Sequence, residues 1–269
     1  MKIENHLLTG DNIALRETPN HGGSIAPEFL VFHFTAGRDA ESSVKWLCDP
    51  RAKASAHIVI ARDGTITQLA PFNIKTWHAG ISHWKGLSGL NSHSIAIEMD
   101  NAGRLTQVGS GEYKAWFQRI YPESEVLFAK HKLESEPAFW HTFTTAQIER
   151  ATLLAEELVA AYDLKDIIGH DDIAPDRKRD PGPAFPLENI RSRILGRQEE
   201  TEELYEVTAA FLNIRKGPGV EFGKVSDALP AGTVVALLET RNRWSKIDVQ
   251  QDNDIEGWVF NKYLKAVVD

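Results

Sequence analysis

The sequence has 269 residues, a formal net charge of −8 and a single cysteine. The acidic balance and the absence of a basic stripe argue against nucleic acid and anionic membrane surfaces as partners. One cysteine excludes an internal disulfide framework and a cysteine-rich zinc cluster, so any metal must be held by histidine and carboxylate groups.

The N-terminal segment, MKIENHLLTGDNIALRE, has no long apolar run and no small-residue cleavage site, so we expect no secretory signal. No window approaches the roughly 18 consecutive apolar residues of a membrane-spanning helix. The default expectation is a cytoplasmic protein, and delivery elsewhere would need something other than a signal peptide in this sequence.

Up to about residue 195, segments typical of strands and helices alternate, which predicts a mixed α/β sheet flanked by helices. An apolar run ending at His33 predicts a buried strand, and Asp39 is placed to cap a following helix. A capping box from Thr144 to Gln147 begins the clearest amphipathic helix. The full set of predicted elements is strands at 28–34, 94–99 and 166–170, a hairpin at 56–70, and helices at 39–47 and 144–164.

The span 103–143 does not fit this alternation and is interpreted as a long insertion. Its sequence predicts at least one short helix, around 112–120. The span is too rich in aromatic residues for a disordered segment. These aromatic side chains could line a wall of a ligand cleft or form a local core.

A boundary is expected at 196–205, where GRQEETEELY is acidic and lacks apolar periodicity. We therefore predict a first domain at 1–195, a linker at 196–205 and a second domain at 206–269. The second domain contains about five short β-rich runs separated by Gly and Pro turns, which indicates a small all-β barrel. It contains no pair of titratable groups that suggests chemistry.

Three residues of the first domain form a candidate metal site: His33, His170 and Asp180. Two imidazoles and one carboxylate leave a fourth tetrahedral position open, as in catalytic zinc sites. Their spacing alone is weak support, because His33 and His170 are far apart in the chain. Each residue also has an ordinary alternative role, as a hydrogen-bonding histidine at a strand end or an aspartate in a turn.

Five ordered motifs give these residues a context: FHFTAG, SAHIVIARDGTITQLAPF, TWHAG, NSHSIAIEM and GHDDIAPDRKRDPGPAF. Together they closely resemble the AmpD-like branch of the N-acetylmuramoyl-L-alanine amidases, which have the Amidase_2 or peptidoglycan-recognition fold. The resemblance covers roughly residues 25–190 apart from the insertion. It implies an enzyme that hydrolyses the amide between N-acetylmuramic acid and L-alanine in peptidoglycan or muropeptides.

The resemblance implies roles for five residues. The family's ligands for one zinc ion fall on His33, His170 and Asp180, its catalytic glutamate on Glu98, and its catalytic lysine on Lys178. Glu98 would move protons, and Lys178 would stabilise the oxyanion of the tetrahedral intermediate. The alternatives are a solvated charge at a strand end for Glu98 and a surface lysine for Lys178.

Four further residues are assigned to substrate binding: Trp77, His78, Asn91 and His57. Asn91 could instead cap a turn, and His57 could be a packed strand residue. Some zinc amidases of this fold have a tyrosine immediately before the residue that matches His57. Here that position is Ala56, which would leave proton transfer to Glu98.

The second domain resembles a bacterial SH3 domain through LNIRKGPG, LPAGTVVALLE, RWSKI and GWVFNKYL. The resemblance implies either a module that holds cell-wall peptides or one that packs against the catalytic domain and gates its cleft. It favours a wall hydrolase, a phage lysin or an exported effector, whereas the missing signal favours a cytoplasmic enzyme acting on anhydro-muropeptides. A non-catalytic peptidoglycan-binding protein is the alternative to an enzyme.

Overall fold

The computed structural model describes residues 1–196, 204–249 and 255–267. Its internal contacts divide the chain into two compact units, Met1–Arg197 and Gln198–Asp269. Most of the predicted linker, residues 197–203, lies outside the described residues, so the domain limits given above stay a prediction. Among the described residues, no helix is long and apolar enough to cross a membrane.

The first unit begins with a series of short strands and one helix. These are β1 Lys2–Glu4, β2 Leu7–Thr9, β3 Ile13–Leu15, β4 His21–Ser24, β5 Phe29–Phe34, α1 Ala40–Leu47, β6 Ile58–Ile60, β7 Ile66–Gln68, β8 Ile74–Thr76, β9 His83–Trp84, β10 Leu87–Ser88 and β11 Ser94–Met99. The predicted strands at 28–34 and 94–99 and the hairpin of β6 and β7 are confirmed. Asp39 forms the expected capping box at the start of α1.

The rest of the first unit contains the predicted insertion and three helices. Its elements are β12 Arg104–Gly109, β13 Glu112–Lys114, β14 Ile120–Pro122, β15 Val126–Lys130, β16 Pro137–His141, α2 Thr145–Tyr162, β17 Asp166–Gly169, α3 His170–Ile173 and α4 Leu187–Leu195. The capping box that begins α2 is present, with the Thr144 side chain accepting from the Gln147 backbone N–H.

The central sheet has six strands in the order β17-β5-β11-β6-β7-β3. Strands β17, β5, β11 and β6 are parallel, and β6 turns back antiparallel into β7. Neighbouring parallel strands therefore end at one common edge of the sheet. Residues that follow the carboxyl ends of β5, β11 and β17 are brought together there, as ligand sites are in other α/β sheets.

Both faces of the central sheet are covered, which explains why its strands are almost continuously apolar. On one face, Leu30 and Phe32 of β5 pack with Leu154 and Leu158 of α2 in the main core. The opposite face is divided between a cluster around Val31 and a cluster that includes residues of α1. Since side chains alternate along a strand, His33, which follows Phe32, points away from the main core.

The insertion is a five-stranded antiparallel sheet in the order β14-β13-β12-β16-β15. The short helix predicted around 112–120 is therefore wrong. Tyr113 and Ala115 are buried whereas Trp116 is exposed, and Tyr113 pairs with Tyr121 across β13 and β14. This near-alternation is the period of a strand, and long-range pairing with β12 and β14 decides the conformation of a segment whose local pattern is weak.

The second unit is built of short strands. They are β18 Leu204–Val207, β19 Phe211–Leu212, β20 Leu229–Pro230, β21 Val234–Arg241, β22 Trp244–Val249, β23 Glu256–Phe260 and β24 Leu264–Ala266. Five of them form an antiparallel sheet in the order β23-β22-β21-β18-β24, and β19 pairs with β20. Within the described residues these sheets do not close on themselves, so the barrel stays a prediction.

Candidate active site

Strand register brings three of the candidate residues to one level of the central sheet. Glu98 of β11 is the Cα partner of His33 of β5. Gly169, the last residue of β17, pairs with Phe32, so His170 follows at the level of His33. Because all three strands are parallel, this alignment places the two histidines and the glutamate at the same sheet edge.

His33, His170 and Asp180 are buried and point three ligand atoms at one another. His33 Nδ1 lies 2.9 Å from His170 Nδ1, and both nitrogens approach Asp180 Oδ2, at 3.0 and 2.9 Å respectively. Ligand atoms that share one zinc ion are separated by about 3 Å. Two nitrogens and one carboxylate oxygen converging in this way could hold a metal ion.

The charge state of these residues suits a cation. Burial, followed by the neighbouring His170, lowers the pKa of His33 to about 4, so its imidazole is neutral at neutral pH. Burial alone would raise the pKa of Asp180, but hydrogen bonds with His170 and His33 hold it well below its usual range. A neutral imidazole and an ionised carboxylate are the forms that bind metals.

The second nitrogen of His33 is held by a chain of hydrogen bonds. His33 Nε2 lies 3.0 Å from His78 Nδ1, and His78 Nε2 lies 3.2 Å from Ser94 Oγ. Ser94 Oγ donates to the carbonyl of Leu90 at 2.6 Å. If His33 donates its Nε2–H along this chain, its Nδ1 is unprotonated and can bind a cation, which would then take the place of the Nδ1–H···Asp180 hydrogen bond. His78, predicted to bind substrate, therefore contacts His33 directly.

Glu98 lies beside this cluster without a partner for one carboxylate oxygen. Its Oε2 atom is buried and accepts no hydrogen bond within the described residues. Burial, with a contribution from the charge of Asp180, raises the pKa of Glu98 to about 8, and the charge of Lys178 opposes this shift. An unsatisfied carboxylate in a cleft is a candidate for proton transfer.

The three cations of the DRKRD stretch are held differently. Arg177 donates to the carbonyl of Ile81 at 2.7 Å, and Arg179 donates to the carbonyl of Pro175 at 2.7 Å. Lys178 is half-buried and forms no ion pair with any residue that the structure describes. Its charge lowers the pKa of His33 as well as that of Glu98, so the ammonium group lies within electrostatic range of both.

The other three predicted substrate residues have structural contacts. Asn91 Oδ1 accepts hydrogen bonds from the backbone N–H groups of His78 (3.0 Å) and Ala79 (2.7 Å), as the turn-capping alternative requires. Trp77 is half-buried, and its backbone N–H donates to Ser55 Oγ at 2.8 Å.

His57 is fully buried. Its Nε2 contacts the Ile74 carbonyl, and its Nδ1 accepts from the Ala96 N–H. The structure therefore places His57 in the core rather than in the wall of a cleft, as the packed-residue alternative proposes.

A cavity of about 640 Å³ opens beside Glu98. Its wall includes Trp46 of α1 and Trp116 of the insertion. From the sequence, the aromatic residues of the insertion are candidates for a cleft wall or a local core, with no choice of Trp116 among them, and Trp46 is not among the predicted site residues. The exposure of both residues is high for tryptophan, at 56% and 72%, respectively. The sequence signal was only their aromatic character, because no local pattern indicates that the two indoles line one cavity.

The chain matches the family model of the N-acetylmuramoyl-L-alanine amidases, Amidase_2, over residues 23–183. This match spans more than half of the chain and includes every candidate residue described above. The chain belongs to this amidase family. A second model, the bacterial SH3 domain, matches residues 210–265.

Individual relatives agree with this assignment. The chain is 32% identical over 176 residues to the N-acetylmuramoyl-L-alanine amidase AmiD of Escherichia coli K12, covering 62% of this chain and 53% of AmiD. It therefore spans about half the length of AmiD. It is 30% identical over 194 residues to the 1,6-anhydro-N-acetylmuramyl-L-alanine amidase AmpD of the same strain, covering 65% of this chain and 85% of AmpD.

Among solved structures, a selenomethionine derivative of AmpD matches with a TM-score of 0.50 and 24% identity. The match covers 72% of this chain and 99% of that one, and it supports the fold of the first unit. The expected amidase fold is thereby confirmed for the mixed sheet, while the resemblance of the second unit rests on its family model.

Proposed function

We propose that the amidase hydrolyses the amide bond between the lactyl group of N-acetylmuramic acid and L-alanine, using one zinc ion per chain. The observation that carries this proposal is the triangle of ligand atoms from His33, His170 and Asp180 beside the unpartnered Oε2 of Glu98. A zinc site with three protein ligands next to a free carboxylate is the arrangement of a metallohydrolase.

The donor set supports zinc over the harder cations. Magnesium and calcium prefer all-oxygen sites, whereas two imidazole nitrogens with one carboxylate suit zinc. When bound, zinc would polarise the scissile carbonyl and lower the pKa of a water molecule to about 7. His78 would keep His33 in the tautomer that presents Nδ1, because it accepts from the opposite ring nitrogen.

Glu98 would act as the general base and then as the general acid. Its carboxylate takes a proton from the attacking water and delivers one to the departing amino group of L-alanine. The unpartnered Oε2 leaves one oxygen free for this transfer. Burial raises the pKa of Glu98 to about 8, which favours the acid half of the exchange, and the positive charge of a bound zinc ion would lower this pKa toward the base form.

Lys178 would stabilise the negative charge that develops on the carbonyl oxygen. It lies two residues before the ligand Asp180 on the same irregular segment, so one stretch of chain would supply a ligand and a cation. Arg177 and Arg179 donate to backbone carbonyls on either side and hold this segment in place. A fixed cation at the position of developing charge is worth more than a mobile one.

The substrate would be peptidoglycan or its muropeptide fragments. The name of AmpD specifies a 1,6-anhydro muramyl substrate, AmiD has been solved with an anhydro-N-acetylmuramic acid tripeptide as its substrate, and the chain is similar to both. A non-catalytic recognition protein is disfavoured, because all five residues implied by the resemblance are present. The second unit would either bind wall peptide or gate the cleft.

The test is hydrolysis of a defined muropeptide by the purified zinc-loaded protein, with products identified by mass spectrometry. We expect free stem peptide and muramyl sugar, and removal of zinc by a chelator should stop their release. Glu98→Gln should lower kcat by about 10²- to 10⁴-fold while one zinc per chain is retained. Glu112→Gln, which changes an exposed glutamate of the insertion, is the matched control.

Intact muropeptide after incubation with the zinc-loaded wild type would refute the hydrolase proposal. If Glu98→Gln and Glu112→Gln were equally active, the role assigned to Glu98 would be refuted, whereas the hydrolase proposal would stand.

A further inference from the structure

None of the three candidate metal ligands lines the cavity beside Glu98. Besides Glu98, its wall contains the loop after β5, residues 35–38, the outer turns of α1, and the tip of the insertion. A volume of about 640 Å³ lies within the range of small-molecule sites, about 300 to 1,000 Å³. Glu98 thus lines a space large enough for more than the scissile amide.

The insertion contributes Trp116 to this cavity in a fixed position. Its indole Nε1 donates to the carbonyl of Ala36 at 2.7 Å. Phe117 packs edge-on against the same indole, with ring centroids 5.7 Å apart. The hydrogen bond joins two segments that are 80 residues apart, and Trp116 remains 72% exposed.

The loop that accepts this hydrogen bond is itself constrained. Ala36 has a φ of 46°, a left-handed conformation that is uncommon for a residue with a side chain. Thr35 Oγ1 accepts from the backbone N–H of Gly37 at 3.3 Å and from that of Asn101 at 3.3 Å. Backbone held in such a conformation is concentrated at ligand sites.

Helix α1 contributes a second exposed indole, Trp46, to the same wall. The buried side of α1 is formed by Val44 and Leu47, which pack against the central sheet, so Trp46 is not needed to dock the helix. Two exposed tryptophans on separate elements, both facing one cavity next to a candidate catalytic residue, form an aromatic surface that the fold itself does not require.

We propose that Trp46 and Trp116 form a subsite for the sugar ring that adjoins the muramic acid in the glycan strand, an N-acetylated hexosamine. This inference rests on the proposed function and specifies its substrate class: muropeptides that retain the neighbouring sugar. The C–H-rich faces of a pyranose ring pack on indole faces, and aromatic side chains provide large contact area at low entropic cost.

Charge favours the sugar over the stem peptide as the occupant. A stem peptide carries free carboxylates, which require several cations, whereas the cavity wall contains one cation, Arg38, and one carboxyl group, Glu98. The remaining wall is aromatic, aliphatic, backbone and hydroxyl, including Ser42 and Ser43. An uncharged, hydroxyl-bearing ring with one apolar face matches this composition.

The test compares two soluble substrates that carry the same dipeptide, one on N-acetylmuramic acid and one on the disaccharide with N-acetylglucosamine. Trp116→Ala should raise KM for the disaccharide substrate about tenfold, the loss of one stacking contact of about 1.4 kcal/mol. It should leave KM for the monosaccharide substrate unchanged. Trp46→Ala should act in the same direction, and Trp116→Phe should retain most of the affinity.

Ile120→Ala is the matched control, because Ile120 is 52% exposed on β14 and does not line the cavity. A thermal melt of each variant checks that the fold is retained. The subsite is refuted if Trp116→Ala changes KM for both substrates equally, or if its effect depends on peptide length instead of on the second sugar. Failure of the wild type to cleave either substrate would instead refute the proposed function.

Discussion

The central sheet and the sheet of the insertion differ in what they bury. At the carboxyl edge of the central sheet, polar groups are buried together: two histidines and an aspartate in mutual contact. The insertion buries mainly apolar and aromatic side chains, including Tyr113, Tyr121 and Ala115, and its two buried histidines, His131 and His141, are each paired with one carboxylate. The first arrangement is costly without a ligand, whereas the second stabilises itself by removing apolar surface from water.

This difference teaches which residues of the molecule are explained by folding alone. Aromatic burial in the insertion needs no further cause. The three contacts among His33 Nδ1, His170 Nδ1 and Asp180 Oδ2 cannot all be hydrogen bonds at once, so at least one of them is unfavourable unless a cation lies between the atoms. Function is therefore indicated at the edge of the central sheet by buried polarity, and in the insertion by Trp116, which remains exposed.

The largest effect is expected at the candidate metal ligands on the carboxyl edge of the central sheet. Asp180→Ala should reduce bound zinc from one per chain to a small fraction and lower amidase activity by ~10³-fold or more, because a ligand and its charge are lost. Bound metal is measured by elemental analysis of the purified protein. Asp176→Ala, an exposed aspartate on the same segment, should bind zinc normally. Full zinc occupancy in Asp180→Ala would contradict the ligand assignment.

The next effect tests whether the insertion is part of the fold of the first unit. Trp140 is 2% exposed, and its Nε1 donates to the carbonyl of Ala129 at 3.1 Å. Its ring would lie 3.3 Å from a Cβ placed on Gly182, so it also packs against the segment that follows Asp180. Trp140→Ala should lower the free energy of unfolding by about 3 to 5 kcal/mol in urea denaturation.

Ile120→Ala, at an exposed position of the same sheet, should change the free energy of unfolding by less than about 0.5 kcal/mol. A small effect at Trp140 as well would show that the insertion is an accessory that the first unit does not need.

A third prediction concerns pH and His57 in the central sheet. Burial lowers the pKa of His57 to about 4, against an ordinary value of 6.5, so the unfolded chain binds the proton more readily. The contribution of neutral His57 to the free energy of unfolding is fully present above about pH 6.5 and is lost as the pH falls from there to about 4. His57→Gln should remove up to about 3 kcal/mol of this pH dependence.

Urea denaturation of wild type and His57→Gln across pH 4 to 7 measures this difference. His21→Gln, which changes an exposed histidine, should keep the slope of the wild type. Parallel stability curves for wild type and His57→Gln would contradict the buried, neutral state of His57.

The smallest effect is expected for the hydrogen-bond chain that links His33 to His78 and Ser94. His78→Ala should weaken zinc affinity about 10- to 100-fold, measured by competition with a chromophoric chelator, because His33 loses the acceptor for its second nitrogen. His83→Ala changes an exposed histidine five residues away and should leave the affinity unchanged. Equal affinities of both variants would show that His78 does not orient His33.

Local elements were predictable where one short segment contains its own signal. The capping boxes of α1 and α2, and the hairpin turn at Asp63-Gly64 between β6 and β7, depend on residues within a few positions of each other. The insertion was predicted poorly, because its strands are specified by pairing between segments such as β12 and β16. Apolar residues spaced for such pairing look irregular in a local window.

The candidate site was likewise predictable from local sequence only in part. The sequence by itself determined the residue types, the motif order and hence the family, because these are properties of short contiguous segments. Only the tertiary structure decided that His33, Glu98 and His170 share one level, that His78 contacts His33, and that Trp46 and Trp116 face one cavity. These relations depend on strand register and helix docking, which are set by the burial of side chains far apart in the chain.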